Sequence, residues 1–190
     1  PSPRDLADLY DLRFDDILDY LEELGDRLDI NKNEHMQRSR DLTYDATPLP
    51  REIIDMGYNG FSSFFERNKM RQIAEKSVGL DYLEGWVEHK LIDGVIIKIR
   101  AFGSRTLHIV AGNGPGLGLI TLARCALTRC DCIIKAPSND PFTSAALALT
   151  MCDMAPGHPI TRHFSVAYWK GGDAEVEDKL YRPHNIEKSI

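Results

Sequence analysis

The segment from Arg105 to Pro141 constrains the fold more than any other part of the chain. An apolar run at 107–111 leads into a glycine-rich turn, a mostly apolar stretch at 117–129 and a second apolar run at 132–135. This order predicts strand, helix and strand, a β-α-β unit whose two strands lie parallel in one sheet. Ligands in open α/β sheets bind outside the carboxyl ends of the strands. We therefore expect the functional site at that edge.

The same alternation continues to the end of the chain. It predicts further elements in this order: helix 141–154, strand 163–168, helix 174–181 and the start of a strand within 185–190. Regular alternation of this kind is typical of an α/β domain, here a parallel sheet with flanking helices over residues 91–190. Because the sequence stops as a further strand begins, we expect this domain to be incomplete at its C-terminus. The chain is then a fragment of a longer protein or needs a partner.

Residues 1–90 follow a different pattern and predict a mainly helical N-terminal region. Apolar residues recur at steps of three and four from Leu6 to Leu24, with acidic residues between them, which indicates one amphipathic helix. Thr47–Pro50 contains two prolines and predicts a break. Further segments are predicted as a helix at 62–75, a short helix at 80–89, and a strand at 95–101 that turns through 102–104 into the strand at 107.

Composition excludes several function classes. The chain has 190 residues and a net charge of −6, and it carries no basic stripe, so we expect no nucleic-acid partner. No apolar run approaches the about 20 residues of a membrane span, and the start lacks a signal-peptide core. We therefore expect a cytoplasmic location and reduced thiols. The four cysteines, predicted to be small core residues without a zinc-knuckle spacing, are Cys125, Cys130, Cys132 and Cys152.

The glycine-rich turn at 112–118 leaves two interpretations open. It is not the G-x-G-x-x-G dinucleotide motif, because Leu117 and Leu119 stand where a third glycine is required. One interpretation is a tight turn without a ligand. The other is an anion site formed by the backbone N–H groups of the following helix. Asn113 also has two interpretations. Its side-chain amide could stabilise an oxyanion, or asparagine could be present because it tolerates left-handed backbone geometry.

Polar or flexible residues also follow the next two predicted strands. Lys135 ends the strand at 132–135, where its ammonium can bind ribose hydroxyls or a phosphate, or extend into solvent. Gly171 and Gly172 follow the strand at 163–168 and permit a close turn. Three successive strand ends therefore carry an asparagine, a lysine and a glycine pair. Their coincidence at one edge favours a binding site there.

These residues resemble a known family. Asn113, the run Lys135-Ala-Pro-Ser138-Asn-Asp-Pro141-Phe-Thr and the run Tyr168-Trp169-Lys-Gly171-Gly172-Asp173 are similar, in order and spacing, to motifs of the acyl-CoA reductase family. That family includes the long-chain fatty acyl-CoA reductase of bacterial luminescence systems and belongs to the aldehyde dehydrogenase superfamily. The resemblance covers residues 90–190 and implies an aldehyde dehydrogenase-like domain that binds a nicotinamide cofactor.

The resemblance also implies roles for individual residues. Asn113 matches the asparagine that holds the oxyanion of the thiohemiacetal, and Lys135 matches the lysine that contacts the adenosine ribose. Ser138 stands where NAD-preferring members often carry glutamate. A carboxylate there would repel a 2′-phosphate, so serine implies a preference for NADP(H). Gly171 matches the glycine near the cofactor pyrophosphate, and Gly172 extends that turn.

The implied activity is reduction of a fatty acyl-CoA to an aldehyde with NADPH, and this chain would be the cofactor-binding part. None of the four cysteines matches the family's nucleophile, so we expect the isolated chain to be inactive. Two alternatives stay open: a non-catalytic α/β binding or assembly module, and a reductase of another activated acyl group. No metal is expected. A homo-oligomer and association with partner subunits are both compatible with this prediction.

Overall fold

Helices form the first part of the chain in the computed structural model, which describes residues 3–182 and 185–190. A 3-10 turn at Pro3–Leu6 is followed by α1 (Ala7–Tyr10), α2 (Phe14–Arg27), α3 (Glu34–Ala46), α4 (Arg51–Gly60), α5 (Arg67–Ser77) and α6 (Leu80–Glu84). The mainly helical character predicted for this region is confirmed. The prediction of one unbroken helix from Leu6 to Leu24 is wrong, because the backbone is extended at Arg13, directly before α2.

The helix boundaries have local physical causes. Asn33 caps α3, and its Oδ1 accepts a hydrogen bond of 2.9 Å from the backbone N–H of Met36. Pro48 and Pro50 separate α3 from α4, because proline cannot continue the hydrogen-bond ladder of a helix. The predicted break at Thr47–Pro50 is therefore confirmed, whereas α5 begins at Arg67 rather than at residue 62.

A two-stranded antiparallel hairpin separates the helices from the main sheet. It consists of β1 (Val87–Lys90) and β2 (Ile96–Ile99), joined by a tight turn in which Gly94 has a φ of +89°. The prediction of a helix through residue 89 is wrong, because β1 gains hydrogen-bond partners in β2. The predicted turn from this strand onto residue 107 is also wrong, since β2 pairs only with β1 among the described strands. Several large apolar side chains here are exposed: Trp86, Ile92, Val95, Ile96 and Phe102.

Four parallel strands form the main sheet. They are β3 (Arg105–Ile109), β4 (Asp131–Lys135), β5 (Phe164–Ala167) and β6 (Lys188–Ser189). The connecting helices are α7 (Leu117–Leu127), α8 (Thr143–Met154), the one-turn α9 (Pro159–Arg162) and α10 (Ala174–Leu180). The α/β class, the parallel sheet and the strand near the end of the sequence are thus confirmed. The sequence pattern did not indicate α9.

The strand order is β5-β4-β3-β6, and this order creates a switch point. The chain proceeds from β3 through β4 to β5 in one direction and then returns to the opposite side of β3 with β6. The carboxyl ends of β3 and β6 therefore flank the place where the connections diverge, which is where open α/β sheets form their binding crevices. The glycine-rich turn leaves β3 at this point.

Apolar residues from both parts of the sequence form one continuous core. Leu21 and Leu24 of α2 belong to the same buried cluster as Leu122 of α7 and Leu147 of α8. The predicted division into 1–90 and 91–190 therefore stays a prediction. Cys125 and Cys132 are buried, as expected, and Cys130 is partly buried. Cys152 is exposed, which corrects its placement in the core, because it lies with Leu149 and Asp153 on the exposed side of α8.

Within the described ranges, none of the helices combines the length and apolar character that a membrane crossing requires.

Tyr20 should make the fold sensitive to alkaline pH. Burial raises its pKa from 10.0 to about 12, although a 2.8 Å hydrogen bond with Thr161 opposes the shift. A raised folded-state pKa gives stability that is present below the unfolded pKa and is lost as pH rises toward 12. We expect the free energy of unfolding to fall by about 1.3 kcal/mol between pH 9 and pH 11 because of this residue alone.

Denaturant unfolding at the two pH values measures this effect. From pH 9 to pH 11, the free energy of unfolding of Tyr20→Phe should fall by about 1.3 kcal/mol less than that of the wild type. Tyr168→Phe changes an exposed tyrosine, and its free energy of unfolding should fall as much as that of the wild type. Equal losses in the wild type and Tyr20→Phe would show that Tyr20 does not titrate with unfolding.

Candidate functional site at the carboxyl edge of the sheet

The carboxyl ends of the three longer strands lie at the same level. Lys135, the last residue of β4, pairs in register with Ile109 at the end of β3 and with Ala167 at the end of β5. The segments that follow each strand therefore meet at one edge, and all five predicted site residues lie in or next to these segments. The structure brings Lys135 and Gly172 together through a shared network, whereas Asn113 and Ser138 are exposed at their loop positions.

The turn after β3 is held by packing against the helical part of the chain. Gly116 has a φ of +90°, and a Cβ atom there would lie 2.6 Å from the ring of Phe61. Pro115 packs against Gly57 of α4, where a Cβ atom would come within 2.7 Å of the proline ring. Gly116 therefore requires glycine for both packing and backbone geometry, and Gly57 of α4 requires it for packing. The helices of residues 1–90 therefore set the position of this turn.

Gly112 is fixed from the opposite side by Asn139. The Nδ2 of Asn139 donates a hydrogen bond to the carbonyl oxygen of Gly112, and a Cβ atom on Gly112 would overlap that amide group. Asn139 thus connects the loop after β4 to the turn after β3. Gly114 differs from its neighbours because a Cβ atom there would meet nothing within 4 Å. Only Gly114 is left without a packing explanation in the turn at 112–116.

The turn after β3 offers hydrogen-bond donors from Asn113 and from the start of α7. Asn113 is exposed, and its side-chain amide has no hydrogen bond with the described part of the chain. The α7 helix begins after Gly116 with no side-chain cap. The N–H of Leu119 donates a 3.0 Å bond to the carbonyl oxygen of Gly116, which leaves the N–H groups of Leu117 and Gly118 without a partner among the described residues. Such groups attract anions through their partial positive charge. Both interpretations of Asn113 and of the turn stay open on this geometry.

Lys135 lies within a network that reaches the glycine pair after β5. Its Nζ is 5.2 Å from the centre of the ring of Trp169, which is buried. The indole Nε1 of Trp169 donates a 3.2 Å hydrogen bond to Glu177, and the backbone N–H of Gly172 donates another of 3.0 Å to the same oxygen. The cation–π contact holds the half-buried ammonium at the sheet edge. Gly171 is exposed and open, with nothing within 4 Å of a Cβ position.

The loop after β4 contains one carboxylate, that of Asp140, and its hydrogen bonds lie within the protein. Asp140 is buried and accepts hydrogen bonds from the backbone N–H and the hydroxyl of Thr143, at 3.1 and 2.6 Å. Burial raises the pKa of Asp140, and the bonds from Thr143 oppose that shift. Asp140 therefore closes the turn that leads into α8, and the helix begins at Thr143 rather than at residue 141. Ser138, two residues earlier, is exposed and carries no charge.

A second polar cluster, which the sequence did not reveal, lies on the sheet face that α10 covers. A cavity of about 720 Å³ is lined there by Arg105, Ile133 and Val176, among others. Next to it, Nε2 of His163 is 3.0 Å from Asp8, and Arg105 forms an ion pair with Asp131. The side chain of His163 is largely buried between two carboxylates, those of Asp8 and Asp131. Only the fold brings residues so distant in sequence together.

The chain is therefore an α/β protein with an open parallel sheet and polar residues at its carboxyl edge. A family model described as acyl-CoA reductase (LuxC) matches residues 9–184. The chain belongs to this family, and the resemblance noted for residues 90–190 is confirmed and extended to the helical part.

Curated relatives support the same assignment. The chain is 36% identical over 184 residues to a long-chain acyl-protein thioester reductase of Photorhabdus laumondii, covering 92% of this chain and 36% of that protein. Proteins of the same name from Photorhabdus luminescens and Vibrio harveyi are 35% and 32% identical over 93% and 90% of the chain, which again spans 36% of each. The chain thus spans about a third of the length of these relatives.

Proposed function

We propose that this chain is the cofactor-binding part of an NADPH-dependent reductase that converts a fatty acyl thioester to an aldehyde. The observation that carries the proposal is the family match over residues 9–184, with the motif residues gathered at the carboxyl edge of the sheet. The related proteins are named for acyl-protein thioesters, and the resemblance implied acyl-CoA. The shared chemistry is an acyl thioester. An aldehyde dehydrogenase-like arrangement of this domain is part of the same proposal.

The residues at this edge fit a phosphorylated nicotinamide nucleotide. The Lys135 ammonium is a donor for ribose hydroxyls and phosphates, and the backbone N–H groups of Leu117 and Gly118 at the start of α7 are further donors for a phosphate. Two carboxylates in the segments after β4 and β5 are engaged within the protein: Asp140 by Thr143, and Glu177 by Trp169 and Gly172. Ser138 itself carries no charge that would repel a 2′-phosphate. NADPH, when bound, would supply the hydride.

In the proposed reaction, a cysteine thiolate attacks the thioester carbonyl, and the thiol of the donor leaves. Hydride addition to the carbonyl carbon of the acylated cysteine then gives a thiohemiacetal, which releases the aldehyde and regenerates the thiolate. Asn113 would donate its amide hydrogen to the oxyanion in these steps, which suits its exposed position in the turn after β3. The nucleophile lies outside the residues of this chain in the proposal.

Nucleotide titration by calorimetry tests the proposal. The purified chain should bind NADPH more tightly than NADH. Lys135→Ala should weaken NADPH binding about tenfold or more, because it removes the only charged donor proposed for the ribose. Lys76→Ala, at an exposed lysine on α5, is the matched control and should bind as the wild type.

Ser138→Glu tests the cofactor preference separately. A carboxylate at this position should weaken NADPH binding about tenfold or more and leave NADH binding nearly unchanged, through repulsion of the 2′-phosphate. Tighter binding of NADH than NADPH by the wild type would contradict the preference for NADP(H). Binding of neither nucleotide, with the fold intact, would favour the alternative of a non-catalytic α/β module.

A further inference from the structure

Three side chains that can bind a metal ion, two thiols and one imidazole, converge beneath α7. They are His108 from β3, Cys125 from α7 and Cys132 from β4, and their donor atoms all lie within 4.8 Å of one another. The Sγ of Cys125 is 3.3 Å from the Nε2 of His108. Both cysteines are almost completely buried, at 3% and 1% exposure, while the histidine is half-buried. We call these residues the thiol–imidazole cluster.

The register of the sheet explains why the cluster forms. Cys132 pairs with Thr106, and His108 pairs with Ile134, so the side chains of His108 and Cys132 point to the same face of the sheet. The α7 helix packs on that face and places Cys125 over the gap between the two strands. Each donor is therefore held by a different rigid element, and all three are positioned before any ligand arrives.

We propose that the thiol–imidazole cluster is a zinc site with three protein ligands and one open coordination position. Two thiolates and one imidazole are a ligand set that zinc prefers, and the two thiolate charges balance a divalent cation. Tetrahedral zinc with these ligands needs sulfur atoms about 3.8 Å apart, so the donors need to move by less than about 1 Å. The inference does not depend on the proposed reductase function.

An adjoining cavity supplies the open position. A space of about 420 Å³ borders His108 and Cys125 and extends to Thr106, Thr121 and Ile190. Three-ligand zinc sites keep such a position for water or a small ligand, whereas purely structural sites close it with a fourth side chain. Cys130 also borders the cavity, but its Sγ is 3.2 Å from the Thr128 hydroxyl, and it is not a member of the cluster.

Cobalt substitution is the first test. The chain, reduced and freed of metal with a chelator, is titrated with Co²⁺ and then with Zn²⁺. We expect one Co²⁺ per chain, with thiolate-to-metal charge-transfer absorption and the visible bands of a tetrahedral site, both of which disappear as Zn²⁺ displaces the cobalt. Absence of a one-to-one complex with these bands would overturn the proposal.

Cysteine variants identify the ligands. Cys125→Ser and Cys132→Ser should each reduce metal affinity about 100-fold or more, because loss of a direct ligand should exceed the 10–100-fold effect of losing its supporting groups. Cys152→Ser and Cys130→Ser are the matched controls and should bind Co²⁺ as the wild type. Equal loss of affinity in Cys152→Ser would show adventitious binding to surface thiols and would also overturn the proposal.

A third variant keeps the test decisive if the buried serine variants fail to fold. His108→Gln changes a half-buried residue, and circular dichroism confirms its fold. Zn²⁺ should raise the thermal midpoint of the wild type, because a ligand that binds only the folded state stabilises it. The same addition should leave the midpoint of His108→Gln unchanged. Equal stabilisation of both proteins would place the metal elsewhere.

Discussion

Replacing Arg129 with alanine should lower the free energy of unfolding by about 3–5 kcal/mol, because two backbone carbonyl groups lose hydrogen bonds from a buried charged donor. Arg129 is 4% exposed and lies in the turn between α7 and β4. Its guanidinium donates to the carbonyl oxygens of Leu12 and Leu83, at 2.8 Å in each case, and forms an ion pair with Glu84. These partners all belong to the helical part of the chain. One side chain therefore connects the two parts of the sequence.

Denaturant unfolding with matched variants measures this contribution. Arg124→Ala changes an exposed arginine one turn earlier in α7 and should alter stability by less than about 0.5 kcal/mol. Arg129→Lys keeps the charge but loses the forked donor geometry, so its stability should lie between those of the wild type and Arg129→Ala. A loss below about 1 kcal/mol for Arg129→Ala would mean that water replaces the guanidinium at little cost.

The network also limits how the chain can be divided. If Arg129→Ala lowers the unfolding midpoint of a single cooperative transition, the helical and α/β parts unfold together. The shared core of Leu24, Leu122 and Leu147 favours that outcome. Two separate transitions would support independent units. The number of transitions therefore tests the boundary predicted at residue 90.

The β-α-β unit could be predicted from the sequence because its signals are local. The predicted ends of its elements, and of the later helices and strands, fall within two residues of the observed ones. Apolar runs and flanking glycines mark such elements without knowledge of the rest of the fold. The β1–β2 hairpin was missed for the opposite reason. Residues 87–90 become a strand only by pairing with residues 96–99, and that pairing is not visible in either segment alone.

The position of the candidate site in the sheet could be predicted from the sequence, but the contacts of its side chains could not. Parallel strands bring their carboxyl ends to one edge, so Lys135, Asn113 and Gly172 could be assigned to that edge from topology alone. The contact of Lys135 with Trp169 requires the actual turn after β5. The thiol–imidazole cluster was hidden for the same reason. Its residues come from three elements, and only the register of β3 with β4 brings them to one face.

Replacing Gly103 with alanine should lower the free energy of unfolding by about 3 kcal/mol, because there is no space for a methyl group. A Cβ atom at this position would collide with the backbone carbonyl group of Arg129 and lie 2.5 Å from the carbonyl oxygen of Thr128. A rotating side chain can avoid a collision with another side chain, but a backbone carbonyl fixed in the turn before β4 cannot move without distorting that turn. Gly103 also accepts a 2.7 Å hydrogen bond from the Tyr10 hydroxyl.

Glycine-to-alanine variants also separate packing from ligand binding in the turn at 112–116. Gly85→Ala, at an extended residue with nothing within 4 Å, is the control for Gly103→Ala and should change stability by less than about 1 kcal/mol. Gly114→Ala should be similarly tolerated by the fold, since its Cβ position is open. If Gly114→Ala keeps its stability and loses NADPH binding, this glycine is present for the ligand's approach. If both properties persist, the turn after β3 requires glycine only where Asn139 and Phe61 pack against it.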